Sequence, residues 1–242
     1  MAAAGLGALV ITTATPPVPG WSDPSTTTSP SAGENETQHA APEQGPGTGA
    51  RPESSPSDTE PLLASVVEEV DSASGDLETV SGKGEAVGDG AEQRYLVEVE
   101  DGLPGSATDF AAAVEEILGD DRSWIGDRDL SLQRVDEEPV DFRVSLASPE
   151  TTDELCHPLQ TNGEVSCFQQ GRAVVNQNRW VSGVEYFDGD LEEYRIYVVN
   201  HEVGHALGHG HVDCPGEGEA APVMQQQTLG LQGCEPNGWV NP

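Results

Sequence analysis

A chain of 242 residues is long enough for one ordinary domain with sequence to spare, and this one carries 43 acidic residues against 10 basic ones. A net charge of −33 surrounds it with a negative field, which excludes nucleic acid and anionic lipid as partners. The charge is spread, with 14 acidic and two basic residues over 1–90 and 29 and eight over 91–242, and it fits either a surface kept soluble or one adapted to high salt.

Residues 2–14 form a short apolar run. Its length suits the core of a signal peptide and falls short of the roughly 20 residues of a membrane span. We therefore expect residues 1–20 to act as a signal peptide or a truncated membrane anchor, with the protein secreted or held at the cell surface. Residues 21–90 are rich in Pro, Ser, Thr, Gly and acids, with almost no aromatic side chain after Trp21. Such a segment buries too little apolar surface to offset its ordering entropy, so a disordered linker is expected. Within it, the apolar patch Pro61–Val70 suggests a transient helix at most.

The folded domain is expected over 91–242, as an α/β layer followed by a small irregular C-terminal part. Arg94–Asp101 alternates like a half-buried strand. Ser106 and Asp109 form a capping-box pattern, and Phe110, Val114, Ile117 and Leu118 then recur at helical spacing up to Gly119. Strand-like runs follow at Leu130–Val135, Val140–Leu146 and Arg172–Val175. A second helix should start after Asp190, whose carboxylate can cap it, and run through Tyr194, Tyr197, Val198 and His201 to Leu207.

Four cysteines remain, Cys156, Cys167, Cys214 and Cys234. An even count in an exported chain points to disulfides, and the short loops favour Cys156–Cys167 with Cys214–Cys234. A structural zinc site is the competitor, but it needs close Cys pairs that are absent here.

Residues 201–211 read His-Glu-Val-Gly-His-Ala-Leu-Gly-His-Gly-His. His201 and His205 stand one helical turn apart on the same face, so both imidazoles can reach one zinc ion. Glu202, beside the first, is placed to act as general base on a zinc-bound water. Gly208 can end the helix in a left-handed conformation and let the chain bring His211 to the same metal. Three neutral ligands leave a fourth position for water, the arrangement of a catalytic zinc site. A coincidence of these fixed positions is expected on the order of once in 20,000 chains of this composition. His209 would share the metal-facing side only if the helix continued past Gly208.

These residues resemble the metzincin clan of zinc peptidases, whose signature is this histidine motif followed by a Met in a tight turn. Met224, in Ala-Pro-Val-Met-Gln-Gln-Gln-Thr, matches that Met and by the resemblance forms an apolar floor beneath the metal. The stretch around residues 172–228 is also similar to an exported bacterial metzincin-like family known only as a domain of unknown function. The resemblance implies a twisted sheet with two main helices above the cleft and a small irregular subdomain with a Met-turn below. Astacin-like and serralysin-like members carry a Tyr two residues after that Met; here the position is Gln226, so Gln226 or a backbone donor would assist the oxyanion. Residues 1–90 hold no Cys, so no cysteine-switch segment is read there. Arg172–Val175 is either the edge strand that pairs with an extended substrate, as metzincins use, or an interior strand. Cys214–Cys234 would brace the Met-turn, and Asp213 either orients a ligand or is a solvated loop acid.

The expectation is a monomeric, exported zinc endopeptidase with one zinc ion (Zn2+), acting on a peptide or protein substrate. Its rivals are a zinc-bearing surface binding module without turnover, and a hydrolase of a non-peptide amide such as a cell-wall crosslink.

Overall fold

The computed structural model describes residues 68–127 and 129–242. The expected leader or anchor over 1–20 and residues 21–67 of the expected linker lie outside the described residues. In chain order the elements are β1 (Leu77–Thr79), β2 (Ala91–Glu100), α1 (Ala107–Gly119), α2 (Trp124–Asp127), β3 (Leu130–Arg134), β4 (Phe142–Ala147), α3 (Pro149–Cys156), β5 (Cys167–Gln169), β6 (Arg172–Asn176), α4 (Gln177–Ser182) and α5 (Leu191–Ala206). The fold is mixed α/β. Its six strands run in the order β1-β2-β4-β6-β5, with β3 beside the first half of β2. Strands β2, β3, β4 and β6 pair in parallel, and β1 and β5 add antiparallel edges.

Alternation along the strands sorts side chains onto two faces. Tyr95, Val97 and Val99 of β2, with Val144 and Leu146 of β4, share one core with Phe110, Val114 and Ile117 of α1 and with α5. The opposite face mixes polar side chains with a small apolar cluster of Ala147, Val174, Cys156 and Cys167. Strand β2 was expected to be half-buried, yet Tyr95–Glu100 is buried on both faces. The acids on its second face can be buried because each is satisfied. Glu98 accepts from Arg172 Nε at 2.9 Å and Ser145 Oγ at 2.8 Å, while Glu100 accepts from Gly75 N, Ser148 N and Thr151 Oγ1.

The start expected at Ala91 moves towards the N-terminus. Leu77–Thr79 pairs with Glu98–Glu100, Val80 is buried, and Val87 bridges to Leu132. The Glu68 carbonyl accepts from Gln177 Nε2 at 2.8 Å, so the chain is tied to α4 from that residue onward. Residues 68–70, the described end of the apolar patch, form no helix. Composition marks this segment as a linker, but it is ordered by partners distant in sequence, which a local reading does not see.

Both expected helices form with the expected caps. Ser106 Oγ accepts from Asp109 N at 3.2 Å, and Asp190 Oδ1 accepts from Glu193 N at 3.0 Å. Helix α5 is buried at every residue from Tyr194 to Gly204, the mark of a central helix enclosed on all sides. Its buried polar groups are bonded within the core: Asn200 accepts from Ser123 Oγ at 2.7 Å and donates to the Gly238 carbonyl at 3.0 Å. The last strand expected, Arg172–Val175, is interior. Antiparallel β5 covers its outer side, so the edge beside α5 belongs to β5.

Candidate metal centre

Helix α5 delivers two of the three histidines and then stops. Gly208, at φ +91°, ends it: Gly208 N donates to the His205 carbonyl at 3.0 Å and His209 N to the Gly204 carbonyl at 2.9 Å. That pair of bonds is a Schellman ending, which turns the chain back across the helix end. His211 is thereby brought beside the other two. One ring nitrogen from each of His201, His205 and His211 lies within 4.8 Å of the others, and Nε2 of His205 is 3.0 Å from Nε2 of His211.

Two backbone carbonyls decide which nitrogens face the centre. His201 Nδ1 lies 2.8 Å from the Val223 carbonyl, and His205 Nδ1 lies 2.8 Å from the His209 carbonyl. A carbonyl oxygen only accepts, so both Nδ1 atoms carry the proton and both Nε2 lone pairs are turned to the centre. Burial, with neighbouring His205 and His211 and against the pull of the Val223 carbonyl, pushes the His201 pKa down to about 3. Burial and His205 lower that of His211 as well. Neutral imidazoles of this kind are the form that binds metal.

Glu202 is 5% exposed and lines the same cleft. Its Oε2 is buried without a hydrogen-bond partner. Burial raises its pKa to about 8. A buried carboxyl oxygen with no partner is costly unless a ligand or cation meets it. The donor set fits zinc: three imidazole nitrogens, with a carboxyl group beside them.

Beneath the helix lies Met224, buried at 5% exposure. The contact is close enough to require glycine opposite it, since a Cβ on Gly204 would stand 2.3 Å from Met224 Sδ and 2.6 Å from Trp124 Cζ2. The loop carrying Met224 is held from above by Tyr197, whose hydroxyl donates to the Gln225 carbonyl at 3.1 Å and accepts from Gln227 N at 2.9 Å. Gln227 itself is buried and bonded to Asn237 in both directions, its Nε2 donating at 2.7 Å and its Oε1 accepting at 3.0 Å. Tyr197, Gln227 and Asn237 escaped the sequence reading. Three identical Gln residues give no local signal, yet Gln225 and Gln227 are buried and Gln226 is exposed towards the cleft.

The remaining candidates fall outside the cluster. The His209 ring stacks on Trp124 at 4.4 Å between centroids, and its carbonyl, not its imidazole, serves the centre. Asp213 is an exposed loop acid. The supporting acceptors are main-chain carbonyls, which residue type does not announce. The cysteines pair as Cys156–Cys167 and Cys214–Cys234. The first closes the loop that borders the cleft at β5, and the second closes the loop containing Met224. Such bonds fit an oxidising compartment, and no described helix is long and apolar enough to cross a membrane.

No curated protein and no solved structure matches the chain. Residues 64–238 match the family described as "Protein of unknown function (DUF3152)". That span covers well over half of the sequence and takes in the histidines, Met224 and all four cysteines, so the protein belongs to that family.

Proposed function

We propose that this protein is an exported zinc-dependent endopeptidase of the metzincin type. One observation carries the reading: imidazole nitrogens oriented by backbone carbonyls converge beside a buried carboxyl group whose Oε2 has no partner. His201, His205 and His211 would hold the metal. Zinc, when bound, supplies Lewis acidity, polarising a carbonyl and making a water acidic.

The protein's own groups do the rest. Glu202 takes a proton from the attacking water and returns it to the leaving amine, and a cation at the histidines would draw its raised pKa back towards the working range. Val223 and His209 hold two rings in orientation through their carbonyls. Met224 closes the floor. The free edge of β5 borders the cleft through Cys167 and is placed to pair with an extended peptide, the role first considered for Arg172–Val175. Gln226 lines the cleft at the position where astacin-like and serralysin-like metzincins carry Tyr, and it or a backbone donor would assist the oxyanion.

The test uses the full zinc-loaded chain and its Glu202→Ala variant against a mixed peptide library, with new termini read by mass spectrometry. Cuts made by the parent and lost in the variant, each binding one zinc, support a peptidase. Equal zinc and no cuts from either would replace it with a binding module or a hydrolase of a non-peptide amide.

A further inference from the structure

The cleft of about 250 Å³ beside the histidines has two side walls, and both are loops closed by a disulfide. One wall, between Cys156 and Cys167, presents Leu159 and Val165. The other, between Cys214 and Cys234, presents Leu229. Leu159 and Leu229 are the two most exposed large hydrophobic side chains among the described residues, at 51% and 63%. Exposed leucines scattered over a surface need no explanation, but two lining one cleft mark a binding surface.

The charge pattern narrows the occupant. In a chain with 43 acidic residues, Glu202 is among the described residues the only carboxylate lining this cleft, and no described Lys or Arg lines it. The other polar groups are neutral amides and hydroxyls such as Gln160, Thr161, Gln226 and Thr228. An acidic side chain would meet a repulsive field on approach and no Lys or Arg side chain on arrival. A basic one would leave water to meet only Glu202, the group the reaction itself uses.

Building on the peptidase reading, we infer that the cleft selects a peptide with an aliphatic side chain next to the bond it cuts, gripped between Leu159 and Leu229. Strand β5 takes the main chain of that peptide while the two leucines take the side chain. The disulfides close both loops, so little ordering cost is left for binding.

The probes are acetyl-Gly-Gly-X-Gly-Gly-amide with X as Leu, Gly, Asp or Lys. Each is titrated to millimolar concentration into the zinc-loaded Glu202→Gln chain, with leucine methyl groups followed by NMR. The leucine peptide is expected to shift the methyl signals of Leu159 and Leu229 and to bind about tenfold more tightly than the glycine peptide. The Leu159→Ser/Leu229→Ser pair should bring that ratio to about one, and both residues are exposed enough that the fold should tolerate the change. Equal binding of the four peptides, absence of shifts at the two methyl groups, or selectivity surviving in the double variant would overturn the inference. The peptidase reading fails separately: the parent chain would then cut none of the four peptides while the methyl shifts and the selectivity remain.

Discussion

Gly204 separates the two histidines of α5, and replacing it with alanine is the sharpest test of how the centre is packed. A Cβ there would lie 2.3 Å from Met224 Sδ and 2.6 Å from Trp124 Cζ2, well inside contact distance. Met224 is flexible but buried at 5% exposure. Trp124 is buried at 2% and pinned, because its Nε1 donates to the Asn200 carbonyl at 2.9 Å. Forcing a methyl into a filled core costs typically 1–3 kcal/mol, and two clashes against a pinned ring place the cost at or above the top of that range. Alanine returns about 1 kcal/mol of helix propensity. The net loss is about 2 kcal/mol, or roughly 4–8 °C in Tm for a domain of this size. Calorimetry on the metal-free chain reads it directly. Gly208→Ala is the contrast, since a Cβ there meets nothing within 4 Å but φ is +91°, and the strain alone costs about 1 kcal/mol. If Gly204→Ala melted at or above the parent temperature, the close packing of α5 on Met224 and Trp124 would be wrong.

Four further outcomes follow from the same geometry. Because burial raises the Glu202 pKa from 4.5 to about 8, the metal-free fold keeps a proton that the unfolded chain has given up, so its contribution is full below pH 4.5 and is lost as pH rises towards 8. Glu202→Gln should therefore match the parent in urea denaturation at pH 4 and exceed it at pH 8 by up to on the order of 5 kcal/mol, whereas parallel profiles would refute the burial argument. His211→Ala should lose most of its zinc affinity by calorimetric titration, while His209→Ala keeps it and loses only about 1 kcal/mol of stacking on Trp124. The reverse pattern would reassign the third ligand. Replacing Cys214 and Cys234 by Ser opens a 20-residue separation and should cost about 3 kcal/mol in denaturant, with KM rising more than kcat falls.

What the sequence makes legible here is what is local. His201 and His205 sit one turn apart, and Gly208 announces the stop that brings in His211, so the metal-binding arrangement can be read without any tertiary contact. The caps at Ser106 and Asp190 are local in the same sense. The opposite case is β1. Leu77–Thr79 lies in a stretch of Gly, Ser and Glu and becomes a strand only because β2 offers its edge. Helix α3 did leave a local sign, an N-cap Ser148 followed by Pro149, but its few apolar residues hid its period. Strand β5 spans three residues, too short for alternation to show, and without it Arg172–Val175 cannot be told from an edge.

The support of the centre is silent in the sequence for a different reason: much of it is main chain. Val223 and His209 act through carbonyls, and Gln225 and Gln227 meet Tyr197 through their backbone. Any residue that keeps the chain on this path supplies the same groups, so the constraint passes to the positions that set the path. Gly204 is one, by the contact with Met224. Gly238 is another, since a Cβ there would stand 2.8 Å from the Glu193 carbonyl oxygen and from Tyr197 N on α5. Its neighbour Asn237 holds Gln227 and also donates to the Ala221 carbonyl at 2.9 Å, so the C-terminal segment fixes both ends of the turn that carries Val223 and Met224. The second disulfide ties the same turn to the loop beyond His211. Orientation of the His201 ring is thus set by a chain segment that begins more than twenty residues later and is pressed against the helix carrying that histidine. Side-chain identity sets the kind of donor, and glycine and cysteine positions decide whether the donors converge.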